Sequence, residues 1–149
     1  MTYQVVPFSA EHIPQALNIE RKSQPAPWSQ NIFQSCLNKR YFNFALLNSE
    51  QNLIGFLISD HIAGEISLMN ICIAPEYRRK GLAQILFQQL VDTATEIHAE
   101  MIWLEVRESN KPAQNLYFQL GFNEIAIRQN YYPAKGGMED AIVMSLSLD

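Results

Sequence analysis

The chain has 149 residues, 48% of them hydrophobic and 17% charged, with a formal net charge of −4. That length suits one domain, residues 1–149, with enough core to fold without staples. The acidic balance argues against a nucleic-acid partner held through the whole surface. Cys36 and Cys72 lie in apolar segments with no Cys-x-x-Cys spacing and read as buried free thiols of a reducing compartment. His12, His61 and His98 are scattered, so no metal is expected. Met1-Thr2-Tyr3-Gln4 lacks a basic segment followed by an apolar run, and no run approaches a membrane span. A cytoplasmic protein with no membrane partner is the expectation.

In chain order, residues 3–7 read as a strand ending near Pro7. Ser9 caps a helix to about Arg21, striped by Ile13, Leu17 and Glu20. Residues 25–28 form a loop, and Ser29 caps a second helix carrying Ile32, Phe33, Cys36 and Leu37. Residues 41–48 and 53–60 read as paired strands about the turn 48–52. The strand at 65–74 changes phase. Ile66 and Leu68 take even positions, Ile71 and Ile73 odd ones. A period of two cannot shift without an irregularity, so a β-bulge is expected near Met69 and Asn70; the plain alternative is a strand buried on both faces, where phase carries no information. Leu82, Ile85, Leu86, Leu90, Ala94 and Ile97 repeat at helical spacing and predict a helix over about 80–98. Residues 101–107 alternate as a strand with Ile102, Leu104 and Val106 on one face. Asn110 opens a helix with Pro112 in its first turn, and Gly121 ends it. Residues 122–131 and 139–148 are closing strands around a loop at 133–137. An early meander followed by alternating strands and helices makes the class mixed α/β.

Within this pattern the stretch Tyr77-Arg78-Arg79-Lys80-Gly81-Leu82-Ala83 stands out. A helix N-terminus carries partial positive charge and free N–H groups, so three cations there are unfavourable unless an anion joins them. A phosphate satisfies both, and Gly81 lets it approach the backbone. Neither a P-loop nor a dinucleotide fingerprint is present. The plain alternative is a solvated basic turn.

Arg78-Arg79-Lys80-Gly81-Leu82-Ala83 resembles the Arg/Gln-x-x-Gly-x-Gly/Ala acetyl-CoA motif of the GNAT acetyltransferases. Pro27-Trp28-Ser29, Arg40-Tyr41-Phe42-Asn43-Phe44, Trp103-Leu104-Glu105-Val106-Arg107, Ser109-Asn110, Leu116-Tyr117, Leu120-Gly121-Phe122-Asn123 and Asn130-Tyr131-Tyr132-Pro133 narrow the resemblance. They are similar to the bacterial branch that acetylates the N-terminal alanine of a small-subunit ribosomal protein. Ala83 replaces the second motif glycine, and Ala26 stands where relatives carry Phe before Pro27.

The resemblance implies a GNAT fold, a mixed sheet of about seven strands with about four helices and a bulge in the fourth strand. It implies acetyl transfer from acetyl-CoA by direct attack, with Glu105 as general base and Tyr117 as general acid. Without the resemblance, Glu105 is a carboxylate on a half-exposed strand beside Trp103, and Tyr117 is part of a buried helix face. Backbone groups of Ile71, Cys72 and Ile73 are expected to pair with the pantetheine arm. The coenzyme phosphates are expected on Arg78, Arg79, Lys80, Gly81, Leu82, Ala83 and Gln84, with Asn110 both capping and touching the coenzyme. Trp28, Tyr131 and Tyr132 are candidates to frame the acceptor entrance, and Glu139 and Asp140 to attract a basic peptide; packing and solvation are their plain roles. An α-amine of pKa near 8 is roughly a tenth neutral at pH 7, against ~0.04% for a lysine, which favours an N-terminal acceptor. Lysine or small-amine acetylation and a non-catalytic acyl-CoA sensor are the competing readings.

Overall fold

The apolar segments become strands of a seven-stranded sheet in the computed structural model, which describes residues 2–148. The elements are β1 (Gln4–Pro7), α1 (Ile13–Ser23), α2 (Gln30–Ser35), β2 (Phe44–Leu47), β3 (Leu53–Ile62) and β4 (Glu65–Ile73), then α3 (Leu82–Glu96), β5 (Met101–Arg107), α4 (Lys111–Gln119), β6 (Asn123–Ala134) and β7 (Gly137–Ser147). The strand order is β1-β2-β3-β4-β5-β7-β6. Only β4 and β5 run parallel.

Side-chain alternation divides the core between the two sheet faces. Leu82, Leu86, Leu90 and Ala94 of α3 recur every fourth residue and bury against Ile54, Leu57, Ile66, Ile102 and Leu104. On the opposite face Ile13, Ala16 and Ile19 of α1 and Phe33 of α2 pack against Phe56, Ile58 and Cys72. Gly55 lies where the layers close. An added Cβ would sit 2.6 Å from Ile73 Cδ1 and 3.0 Å from the Cys72 carbonyl oxygen.

The phase slip in β4 is a bulge. Ile58 pairs with Asn70 and Ser59 with Leu68, which leaves Met69 without a partner on β3. Beyond it the sheet opens, because β4 and β5 pair only over Glu65–Ser67 and Met101–Trp103. The diverging strands leave a cleft in the middle of the sheet.

Several boundaries differ from the sequence reading. β2 begins at Phe44 rather than residue 41, because the Asn43 side chain takes the Ser59 N–H at 3.1 Å and displaces the ladder. α3 begins at Leu82, since Gly81 at φ 74 cannot continue a right-handed helix. β6 and β7 run on to Ala134 and from Gly137, narrowing the expected loop to Lys135-Gly136. No helix among the described residues is long and apolar enough to cross a membrane.

Candidate active site

The cleft has two adjoining parts with shared walls. The larger, about 630 Å3, is lined by Ile71, Cys72 and Ile73 of β4, by the 78–84 loop without Lys80, and by Asn110, Ala113 and Leu116. The smaller, about 250 Å3, is lined by Glu20, Trp28, Asn70, Glu105, Tyr117 and Tyr132 among others. Gln24, Ile71, Asn110, Ala113 and Leu116 belong to both.

Backbone shapes the larger part. Arg79 and Gly81 have left-handed φ values of 64° and 74°, which folds the loop back ahead of the N–H groups of α3. The space where a Gly81 Cβ would stand holds nothing within 4 Å. A pyrophosphate fits such a cradle. On β4, the Ala74 N–H goes to Ile54 of β3 at 2.8 Å, whereas the Ile73 carbonyl is taken by Arg78 Nε at 3.0 Å. By alternation Ile71 and Ile73 turn their backbone groups to the open edge and Cys72 turns its own toward β3. Cys72 therefore offers a side chain to the cleft but no free backbone edge. Asn110 caps α4, its Oδ1 accepting the Ala113 N–H at 3.2 Å. Gln114 Nε2 donates to the Arg107 and Glu108 carbonyls and holds the turn before that cap.

The three cations do not act as a group. Arg78 Nη2 donates to Ser23 Oγ at 2.7 Å, so Arg78 braces the loop against α1. Lys80 Nζ stands 5.6 Å from the Tyr77 ring centroid, away from the cleft lining. Arg79 alone of the three lines the cleft free of such ties.

Side chains shape the smaller part. Glu105 lies on the β5 face opposite Ile102, Leu104 and Val106, as its alternation requires. Its Oε1 accepts the Tyr131 hydroxyl at 3.2 Å. Its Oε2 is 2.7 Å from Arg128 Nε. That N–H is not aimed at the oxygen, so Oε2 is buried without an aligned hydrogen bond. Tyr117 packs edge-on against Phe122, with ring centroids 5.9 Å apart. Burial pushes its phenol up to about 12. Its hydroxyl has no hydrogen-bond partner among the described residues, and Tyr117 is part of the lining of the smaller cavity. Tyr132 is likewise pushed up to about 12, by burial and then by the Glu105 charge.

Trp28 and Tyr132 line the smaller part directly, and Tyr131 reaches it through Glu105. Glu139 and Asp140 both make contacts within the chain. Glu139 is bound by Arg107 Nη1 at 2.9 Å and by the Ser109 N–H at 3.1 Å. Asp140 accepts the Asn130 N–H at 2.9 Å. Both carboxylates are occupied in holding loops, and neither lines the part beside Glu105. Arg128 was not anticipated from sequence, and Asn70 was anticipated only as a bulge position. Sequence reading saw Glu20 only as the polar edge of a stripe; a carboxylate at a core position of an amphipathic helix was the available signal.

The acetyltransferase (GNAT) family model matches residues 10–122. The [ribosomal protein bS18]-alanine N-acetyltransferase of Escherichia coli K12 is 41% identical over 136 residues, 91% of each chain. The crystal structure of the ribosomal-protein-S18-alanine N-acetyltransferase from Escherichia coli aligns with a TM-score of 0.91 and 38% identity, over 99% of this chain and 95% of that one. Arabidopsis thaliana NAA60 in complex with acetyl-CoA shares the fold at a TM-score of 0.88 and 17% identity, over 99% of both chains. The family-model match over residues 10–122 and a relative 41% identical over 91% of each chain make this chain a member of the acetyltransferase (GNAT) family.

Proposed function

We propose that the chain transfers the acetyl group of acetyl-CoA to the N-terminal alanine of ribosomal protein S18, in the cytoplasm, by direct attack. The observation that carries the reading is the meeting of the 78–84 loop and the Glu105–Tyr117 pair in adjoining cavities with shared walls. The acceptor follows from the relatives named bS18-alanine N-acetyltransferase at about 40% identity.

Bound acetyl-CoA supplies the thioester. The 79–84 backbone holds its phosphates, and the open edge at Ile71 and Ile73 pairs with its arm. The bulge at Met69 aims an N–H toward the carbonyl as an oxyanion donor. Glu105 takes the amine proton, directly or through a water, as the N–C bond forms and the C–S bond breaks. Tyr117 donates to the departing sulfur. A phenol near 12 is a reluctant acid beside a thiol of about 8.5. Its contribution is therefore a hydrogen bond to the developing thiolate, and the balance closes when the proton taken by Glu105 passes to the sulfur, directly or through water, and the thiol leaves. Cys72 borders the coenzyme cavity, but burial pushes its thiol up. It stays protonated and does not serve as a covalent relay.

The test is intact-mass analysis of ribosomal protein S18 incubated with acetyl-CoA and the purified chain, with its N-terminus free or formylated. One acetyl group on the free form alone is the expected result. Acetylation of the blocked form moves the acceptor to lysine. No product on either, with acetyl-CoA bound, leaves a sensor.

A further inference from the structure

α1 buries one carboxylate. Glu20 is 1% exposed, among a set otherwise made of Ile13, Ala16 and Ile19. Its Oε2 accepts the Trp28 backbone N–H at 3.0 Å, and its Oε1 accepts Asn70 Nδ2 at 3.1 Å. A buried carboxylate is costly unless its hydrogen bonds are satisfied. These two bonds join three segments. Asn70 is the residue after the unpaired Met69, and Trp28 lies in the loop between α1 and α2. The Trp28 ring packs edge-on against buried Phe33, with centroids 5.2 Å apart. Glu20, Trp28 and Asn70 all line the smaller cavity beside Glu105 and Tyr117.

We propose that Glu20 is a positioning residue for the acceptor. It fixes the loop carrying Trp28 against the β4 bulge and so sets the shape of the cavity that the acceptor N-terminus enters. This rests on the acetyl-transfer reading above. Both oxygens are spent on the protein itself, so Glu20 acts by geometry and not by attracting the ammonium of the acceptor. The coenzyme loop has its own tie to α1, from Arg78 to Ser23. Loosening Glu20 should therefore reach the acceptor and spare the coenzyme.

Glutamine and methionine separate geometry from charge. In Glu20→Gln the amide oxygen can accept from Trp28, and its Nε2 can donate to the Asn70 oxygen once that amide turns over. Glu20→Met keeps the volume and removes both bonds. With an alanine-starting peptide, Glu20→Met should raise the peptide KM about tenfold, as expected for losing a hydrogen bond to a charged group, with the acetyl-CoA KM within about twofold. Glu20→Gln should stay within about threefold of the unmodified protein on both. A glutamine variant as impaired as the methionine one overturns the proposal, because charge then matters. So does a methionine variant that raises both KM values equally or neither. If Glu20→Met does not fold, Asn70→Ala cuts one tie and should raise the peptide KM about threefold; an unchanged value overturns the proposal. An unmodified chain that binds acetyl-CoA but acetylates no N-terminal alanine overturns the functional reading and this proposal with it. Normal turnover with a wild-type peptide KM in Glu20→Met fails this proposal alone.

Discussion

The two halves of the cleft are built from different material. The coenzyme half is a cradle of backbone, set by left-handed residues at Arg79 and Gly81, the N–H groups of α3 and the open edge of β4. The acceptor half is assembled from side chains of α1, β4, β5, α4, β6 and the loop before α2. Its charges are already engaged, Glu105 with Arg128 and Tyr131, and Arg107 with Glu139 outside it. In this second half, on the proposed function, an amine approaching Glu105 meets an oxygen that already accepts from Tyr131 and another beside Arg128.

Substitutions should divide along the same line. The largest effect falls on Glu105→Gln, which removes the proton acceptor. Turnover should drop about a hundredfold or more, the usual scale for a general base. A drop under threefold would return Glu105 to a solvated strand carboxylate. Tyr117→Phe keeps the contact with Phe122 and removes the hydroxyl, and should cost about tenfold in kcat for one lost donor to the developing charge. Because the phenol is pushed up to about 12, it keeps its proton well above neutral pH. Tyr117 ionisation should therefore produce no fall in kcat below about pH 10, and a pH-rate profile checks this directly.

Gly81→Ala probes the other half. Space for the methyl exists, but the left-handed φ costs roughly 1 kcal/mol. The KM for acetyl-CoA should rise about fivefold with peptide KM unchanged. The smallest effect belongs to Glu139→Gln. Its carboxyl is held below the ordinary value by the Arg107 hydrogen bond and then by Ser109. A lowered carboxylate contributes stability above its unfolded value and loses it as pH falls through the lowered one. The gap in melting temperature between the unmodified protein and the variant should therefore narrow as pH drops below about 4.5. A constant gap would mean that the pair contributes nothing through its charge.

Legibility from sequence follows the same division. The 78–84 loop is a contiguous run, so its residues announce themselves by an electrostatic conflict that an anion would relieve. The bulge was readable as well, because a phase change between Leu68 and Ile71 has few structural causes. The functions of individual cations were not readable. Arg78 lines the cleft but is tied to Ser23, and Lys80 stands over Tyr77, partners set by tertiary contact. Glu20 and Asn70 are separated by 50 positions and Glu105 and Tyr131 by 26. No local pattern brings such pairs together. Glu139 and Asp140 looked like free acids because nothing in sequence reveals that Arg107 and the Asn130 N–H occupy them.

The most direct test of the division is calorimetric titration of acetyl-CoA into the unmodified chain, Glu105→Gln and Gly81→Ala, with turnover on an alanine-starting peptide measured on the same preparations. The account predicts that Glu105→Gln binds acetyl-CoA as the unmodified chain does while turning over about a hundredfold more slowly. Gly81→Ala should bind about fivefold more weakly and recover its turnover at saturating coenzyme. Weakened acetyl-CoA binding in Glu105→Gln, or a Gly81→Ala defect that saturation does not repair, would contradict it.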